Sequence, residues 1–249
     1  MLLALCTWPE LAARLATTDA IVIPIGSTEQ HGPTGVIGTD AICAEAVARG
    51  VGESADVLVA PVLSLGMAQH HLAFAGTITL RPSTLIAVIG DLVASLRRHG
   101  FRRFFFVNGH GGNVATLQAA FSEIHAEASL AGRTGGLSFA VHNWWDGAEV
   151  VALSKELYGD RCGAHATPPE IAVTQHLHLE AAAKTAELGA FNPTCGGFGD
   201  AADFRRLYPD GRIASDPALA RPEHGARLLA VAVDEATKRF RAFLATGGA

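Results

Sequence analysis

Short apolar runs alternate with longer segments of helical spacing along this chain. The apolar runs of strand length are residues 20–25, 57–63, 103–107 and 137–142. Between them, apolar residues recur every three or four positions, which is typical of helices that bury one face. Strands separated by helices predict an α/β fold, a layered domain whose mostly parallel central sheet is flanked by helices.

The helical spacing predicts helices over residues 40–50, 83–99, 113–131, 147–158, 167–178 and 223–244. Residues 190–224 are rich in Gly, Pro and Asp and predict a long irregular excursion, a kind of segment that often carries function. No change in composition marks a boundary, so we expect a single domain over residues 1–249.

Composition narrows the possible functions. With 249 residues, 49% of them hydrophobic, the chain has ample material for a buried core, and only 17% of its residues are charged. Such a low charged fraction favours burial of further surface in a homo-oligomer. The net charge is -5 and the longest basic runs are pairs of arginines, so we expect no nucleic-acid partner.

The cysteines and the apolar segments indicate the cellular compartment of the protein. The four cysteines are scattered and form no C-x-x-C pair, which argues against a disulfide framework or a thiolate zinc site. The first six residues are apolar but lack a basic segment, and no later apolar run has the length of a membrane span. We therefore expect a cytoplasmic protein without a membrane partner.

Three short islands of sequence carry the candidate chemistry, each where a predicted strand gives way to a loop or a helix. Together they supply three carboxylates and three imidazoles: Glu29, Asp40, Glu170, His31, His110 and His165. This set suits two divalent metal ions such as zinc, manganese or iron, with water in the open positions.

The predicted topology brings the islands to one edge of the sheet, because ligands of parallel sheets bind outside the carboxyl ends of the strands. Glu29 and His31 follow the first predicted strand, and His110 follows the third. Asp40 could return over a short loop to bridge two ions. Glu170, at the start of a helix, could complete the shell of the second ion.

Two ions held in this way favour amide hydrolysis. A hydroxide that bridges two metals is a strong nucleophile at neutral pH, and one metal can polarise a carbonyl oxygen. Asp40 and His165 are then the candidate catalytic residues, with His165 donating a proton to the leaving nitrogen. The substrate would be a small molecule with a non-peptide amide or cyclic amide bond.

Each of these residues also has a structural explanation. Asp40 could cap its helix, and Glu170 could be the glutamate of a Thr-x-x-Glu capping box. Residues 108–113 could form a glycine-rich turn or a phosphate cradle, although the lysine of a P-loop is missing. Trp144 and Trp145 are more often core residues than substrate contacts. A metal-dependent isomerase and a non-catalytic phosphate-binding module remain alternatives.

The same islands resemble the creatininase family of metal-dependent amidohydrolases. Residues 23–33, followed by Gly38-Thr39-Asp40, are similar to the first metal-binding segment of that family. The Asn-Gly-His-Gly-Gly-Asn stretch at residues 108–113 resembles its signature motif. Further similar segments are found at residues 66–77, 165–170 and 210–225, so the resemblance extends along most of the chain.

The resemblance implies a layered α/β fold, often assembled as a hexamer, and two divalent ions that share one carboxylate. The ligands would be Glu29, Asp40 and His110 for one ion, and His31, Asp40 and Glu170 for the other. Gly112 stands where creatininase itself has a glutamate, so the second ion would depend on Glu170.

Several positions depart from the family pattern around the expected pocket. Residues 34–36 are Thr-Gly-Val where the family usually has His-Leu-Pro, so we expect a substrate other than creatinine. Relatives in the family include deformylases of pyrimidine ribotides and a peptidase of a peptide-derived cofactor pathway, and both activities are alternatives here. The candidate substrate contacts are His71, Gly111, Asn113 and Trp144.

Overall fold

A parallel sheet forms the centre of the molecule. The computed structural model describes residues 1–133 and 136–246. The strands are β1 (Ala20–Ile25), β2 (Leu58–Val59), β3 (Arg103–Asn108) and β4 (Ser138–Asn143). Their order is β2-β1-β3-β4 and each pairing is parallel, which confirms the predicted α/β class. Because Ile25 pairs with Asn108, β1 and β3 end side by side.

Helices cover both faces of this sheet. They are α1 (Trp8–Leu15), α2 (Thr39–Ser54), α3 (Pro82–Arg98), α4 (Asn113–Leu130), α5 (Ala148–Tyr158), α6 (Pro168–Leu177), α7 (Leu179–Ala182), α8 (Ala201–Leu207) and α9 (Pro222–Ala245). The bounds of α3, α4, α5, α6 and α9 agree with the sequence prediction to within one residue. Helix α2 continues to Ser54, four residues further than its apolar spacing predicts.

Two apolar clusters lie on opposite faces of the sheet, because successive residues of a strand point to opposite sides. Val22 and Phe105 belong to the cluster formed with α2, α5, α6 and α9. Ile23 and Phe106 belong to the cluster formed with α3 and α4. Every residue of β1 is therefore buried, which explains why its sequence is continuously apolar rather than alternating.

The second strand is shorter than the apolar run 57–63 predicts. The amide of Ala60 still donates to the carbonyl of Val22 at 2.9 Å. Pro61 has no amide hydrogen to donate and interrupts the ladder. Contact with β1 resumes when the amide of Leu63 donates to the carbonyl of Pro24 at 3.0 Å. The prediction of a seven-residue strand is wrong for this reason.

Three helices of the described residues, α1, α7 and α8, are not predicted by the apolar spacing. Helix α8 lies within the excursion 190–224 and is capped by Asp200, whose Oδ1 accepts from the amide of Asp203 at 2.9 Å. Helix α1 begins with a capping box, in which Glu10 accepts from the amide of Thr7 at 2.7 Å. Helices α1 and α8 are short, so side-chain capping contributes much of their stability.

No helix within the described ranges is long and apolar enough to cross a membrane. The single domain predicted for residues 1–249 includes residues 134–135 and 247–249, which lie outside the described part of the chain.

Candidate metal centre

Glu29 lies at the middle of a buried cluster of imidazoles, in the loop that follows β1. Its carboxylate is fully buried. One oxygen, Oε2, lies 3.2 Å from Nδ1 of His110, and the other, Oε1, lies 3.2 Å from Nε2 of His71. Nδ1 of His165 is 3.7 Å from the same Oε1. One carboxylate therefore faces three histidines from three separate segments of the chain.

Asp40 connects two of the imidazoles from the first turn of α2. Its Oδ1 lies 3.0 Å from Nε2 of His31, and its Oδ2 lies 3.2 Å from Nδ1 of His110. The N-cap position is occupied by Gly38, without a side-chain hydrogen bond. Asp40 therefore does not cap α2, and its carboxylate lies between two imidazoles.

The two imidazoles that face Asp40 are held by backbone carbonyls on their other side. Nδ1 of His31 donates to the carbonyl of Glu29 at 3.1 Å, which leaves Nε2 facing Asp40. Nε2 of His110 donates to the carbonyl of Met67 at 2.9 Å, which leaves Nδ1 facing the two carboxylates. Fixing one nitrogen in this way is how proteins orient a metal-binding histidine.

The loop 108–113 places His110 by close packing. Asn108 accepts from the amide of His110 at 3.1 Å and donates to its carbonyl at 2.8 Å. At Gly109 the backbone passes directly over the carbonyl group of Asp40, where a Cβ atom would overlap it. A glycine at this position is therefore a condition for bringing His110 to Asp40.

Glu170 has two roles at the start of α6. Its Oε1 accepts from the amide of Thr167 at 2.5 Å, and its own amide donates to the Thr167 hydroxyl at 3.5 Å, which completes the capping box. Its Oε2 lies 3.9 Å from Nε2 of His31. The capping alternative is therefore correct, but it does not use the oxygen that faces the cluster.

The charged groups in this cluster strongly shift one another's pKa values. Burial alone would raise the pKa of Glu29, but the charge of His110 and polar contacts from His110 and His71 hold it well below its ordinary range. Burial likewise disfavours a charged His31, yet the carboxylates of Asp40, Glu170 and Glu29 raise its pKa to about 10. Protons on the imidazoles of His31 and His110 thus offset the charge of the buried carboxylates.

His110, His165 and Glu170 respond differently to the same environment. The carboxylates of Glu29 and Asp40 overcome burial and raise the pKa of His110 well above its usual value. Burial and the neighbouring imidazoles lower the pKa of His165 well below its usual value, so this side chain is neutral. Burial, with the charge of Asp40, raises the pKa of Glu170 to about 7.

The donor set fits a divalent cation. Within the described residues, both carboxylate oxygens of Glu29 and Oδ2 of Asp40 are buried and accept no well-aligned hydrogen bond. Such oxygens are costly to bury unless a donor or a cation meets them. Three sets of side chains bring their potential ligand atoms within 4.8 Å of one another: Glu29, Asp40 and His110; His31, Asp40 and Glu170; and Glu29, His31 and His165.

A cleft of about 630 Å³ opens onto this cluster. Asp40, His110, His165 and Glu170 contribute to its floor. Its outer walls come from the loop before α5, from α5 itself and from the loop that follows, and include Trp145, Val151, Ser154, Lys155, Asp160 and Cys162. A small molecule or a short peptide segment could enter from this side.

Of the candidate substrate contacts, the structure brings only Gly111 to the cleft, as judged over the described residues. Trp144 is packed in the apolar core, and its neighbour Trp145 lines the cleft instead. Asn113 is fully buried and bonds the amide of Met67 and the carbonyl of Gly26. Whether Trp144 or Asn113 reaches the cleft depends on the direction of its side chain, which a sequence motif does not specify.

His71 also lies below the cleft, where it packs between Glu29 and Gln30. Gln30 is a polar residue that the sequence argument does not single out, although it stands between two of the candidate ligands. Its Nε2 lies 2.9 Å from Nδ1 of His71, 2.9 Å from Nε2 of His165 and 3.0 Å from the carbonyl oxygen of Gly211. Its place between Glu29 and His31 in the sequence is the signal that could have identified it.

Comparison with known proteins identifies the family. The sequence model of the creatininase family, described as creatinine amidohydrolase, matches residues 4–240. A mycofactocin precursor peptide peptidase of Mycobacterium ulcerans (strain Agy99) is 32% identical over 238 residues, which are 90% of this chain and 85% of the relative. A creatinine amidohydrolase of Pseudomonas putida is 31% identical over 158 residues, 61% of this chain and 60% of the relative.

Solved structures show the same fold. A manganese creatininase superposes with a TM-score of 0.82 at 26% identity, covering 97% of each chain. A creatininase mutant described as Zn-Zn type gives a TM-score of 0.81 at 26% identity, again over 97% of each chain. The chain therefore belongs to the creatininase family and is a hydrolase of that family.

Proposed function

We propose that this chain is a binuclear metal-dependent amidohydrolase that cleaves a C–N bond of a small amide or cyclic amide. The observation that carries the proposal is the sharing of Asp40 between two sets of ligands. Glu29, Asp40 and His110 would hold one ion, and His31, Asp40 and Glu170 the other. Each imidazole of these sets keeps one nitrogen on a backbone carbonyl and turns the other toward the carboxylates.

Two bound divalent ions would supply an activated water and polarise the substrate carbonyl. The residues of the chain supply orientation and proton transfer. Glu29 and Asp40 place buried carboxylates against the imidazole of His110. His165 is neutral and lies beside Glu29, so it can take a proton from the attacking water and pass it to the leaving nitrogen. Because a neutral imidazole must take up a proton before it can pass one on, His165 would act first as a base and then as an acid.

Two features support a substrate other than creatinine. Residues 34–36 differ from the usual family sequence, and the cleft of about 630 Å³ has room for a larger molecule. A second candidate function, cleavage of a short precursor peptide, is favoured by the relative from Mycobacterium ulcerans, which aligns with 90% of this chain.

Metal content tests the binuclear centre directly. Elemental mass spectrometry on protein purified without added metal or chelator should find about two divalent ions per chain. We expect the His31→Ala variant to hold about one ion, and His125→Ala, which removes an exposed imidazole of α4, to hold as many as the wild type. Absence of bound metal, together with no uptake of zinc or manganese on titration, would refute the proposal.

A substrate panel separates the two candidate activities. It should contain creatinine, N-formyl compounds, other cyclic amides, short peptides and sugars, with products separated by chromatography and identified by mass spectrometry. Hydrolysis of small amides supports the first function, and release of a terminal fragment from peptides supports the second. Isomerised products of unchanged mass from sugars would refute both.

We also propose that the chain forms a homo-oligomer. Leu5 and Trp8 near the N-terminal helix are each 81% exposed, which is unusual for large apolar side chains unless another copy covers them. Light scattering coupled to size-exclusion chromatography measures the mass, and a monomer at micromolar concentration would refute this proposal.

A further inference from the structure

The side chain of Gln30 is buried beneath the candidate metal centre in a single orientation. Its Oε1 accepts from the amide of Gly32 at 2.8 Å. Because a backbone amide can only donate, the atom facing it must be the oxygen, and this settles which end of the Gln30 amide is the nitrogen. Nε2 therefore lies on the opposite side, among His71, His165 and the carbonyl of Gly211.

Counting hydrogens assigns the partners of that nitrogen. Nε2 of Gln30 carries two hydrogens but has three neighbours, and the carbonyl of Gly211 can only accept, so it takes one hydrogen. Nε2 of His165 also lies 2.8 Å from the carbonyl oxygen of Gln30, which can only accept. His165 must therefore be protonated at Nε2, and it cannot accept from the side chain. The second hydrogen of Gln30 goes to Nδ1 of His71.

We propose that Gln30 is a positioning residue whose side chain fixes the tautomer of His71 and whose backbone carbonyl holds a hydrogen on Nε2 of His165. With Nδ1 accepting from Gln30, His71 carries its hydrogen on Nε2, which lies 3.2 Å from Oε1 of Glu29. With Nε2 donating to the Gln30 carbonyl, His165 directs its other ring nitrogen, Nδ1, toward the same oxygen, 3.7 Å away. One residue thus decides which ring nitrogen of each histidine faces Glu29. The assignment of tautomers stands without the proposed function, but its effect on turnover rests on it.

The opposite wall of the Gln30 pocket is built to leave room for this amide. Gly211 has a φ of 85°, and a Cβ atom there would lie 2.6 Å from Cδ of Gln30. The carbonyl of Gly211 is kept in place by its neighbours, since the Arg212 guanidinium binds the Asp210 carboxylate at 2.7 Å. Glycine at residue 211 is therefore required both for the backbone conformation and for the Gln30 side chain.

Tautomers can be measured without substrate and without metal. In protein labelled with ¹⁵N-histidine, two-bond ¹⁵N–¹H correlation spectra distinguish protonated from unprotonated Nδ1 and Nε2. Resonances are assigned by replacing His71 or His165 singly with Gln. We expect the wild type to show His71 protonated at Nε2 and unprotonated at Nδ1, and His165 protonated at Nε2.

The main variant is Gln30→Glu, which replaces the donating NH2 with an acceptor of nearly the same shape. We expect Nδ1 of His71 to become protonated in this variant. The matched control is Gln69→Glu, because Gln69 lies two residues from His71 but donates to the carbonyl of Gly199. It should leave the histidine spectrum unchanged. A His71 that is protonated at Nδ1 in the wild type, or unprotonated there in Gln30→Glu, overturns the proposal.

Gly211→Ala is a second route to the same test, because it keeps the Gln30 amide but displaces it. It should disturb the His71 and His165 resonances while circular dichroism stays native. On a hydrolysed substrate, Gln30→Glu should lower kcat roughly 10- to 100-fold with KM nearly unchanged. If no substrate is found but the tautomers are as expected, the proposed function fails and this inference stands. Native tautomers in a folded Gly211→Ala protein would overturn it.

Discussion

Replacing Asn113 with alanine distinguishes a substrate contact from a structural one. The side chain is fully buried at the start of α4. Its Oδ1 accepts from the amide of Met67 at 3.0 Å, and its Nδ2 donates to the carbonyl of Gly26 at 2.9 Å. These bonds join the loop after β1 and the loop that carries Met67 to the first turn of the helix. We therefore expect Asn113→Ala to act on stability rather than on substrate affinity.

The magnitude follows from the two backbone partners. Each buried group left without its hydrogen bond costs about 1–3 kcal/mol, so the free energy of unfolding should fall by about 3 kcal/mol. With a urea slope of about 3 kcal/mol per molar, the midpoint of unfolding should move down by about 1 M. Circular dichroism during urea titration measures this shift, and kinetic assays on the same preparation measure KM.

Gln118→Ala is the matched control, because Gln118 is an exposed amide side chain on the same helix. Its stability should stay within about 0.5 kcal/mol of the wild type. The reasoning would be refuted if Asn113→Ala kept the wild-type midpoint and raised KM severalfold, since the side chain would then be contacting substrate.

Three further predictions concern charge. Glu170→Gln should preserve the capping box, because Gln can take the place of Glu there, but should lower bound metal from about two ions per chain toward one. The control is Glu10→Gln, which makes the same change in the capping box of α1 and should leave the metal content unaltered. Metal binding at pH 7 should release protons, because the pKa of His31 is raised to about 10 and the pKa of His110 is also raised. Metal affinity should therefore rise with pH. Calorimetry in buffers of different ionisation enthalpy measures the released protons, and an equal binding enthalpy in all buffers would contradict this prediction. Burial lowers the pKa of His142, so the neutral form is favoured in the folded state. The contribution of the neutral imidazole to stability is complete above the unfolded pKa of about 6.5 and is lost as the pH falls through the lowered folded pKa. His142→Phe should therefore lose less stability than the wild type between pH 7 and mildly acidic pH in urea titrations, and an equal loss would contradict the assignment.

Most secondary structure follows from local pattern. The bounds of β1 are predicted without error, and those of α3, α4, α5, α6 and α9 to within one residue, because burial of one face imposes a period that the sequence displays. The errors have local causes. Pro61 interrupts a run that is apolar enough for a longer strand, and α8 is too short for its period to be recognised.

The gathering of Glu29, His31, Asp40, His110 and Glu170 could also be anticipated, because parallel strands place their carboxyl ends at one edge and each residue follows such an end or begins a helix beside it. What tertiary structure decided is the direction of individual side chains. Trp145 rather than Trp144 lines the cleft, and Asn113 turns into the protein.

The sequence by itself determined the fold class, the family and the residues that could bind metal, since these depend on periodicity and on motifs read within short segments. The network around Gln30 depends on packing between segments as far apart as Gln30 and Gly211, 181 residues away in the chain. A side chain's hydrogen-bond partners are selected by the geometry in which distant segments meet, and only the folded structure contains that information.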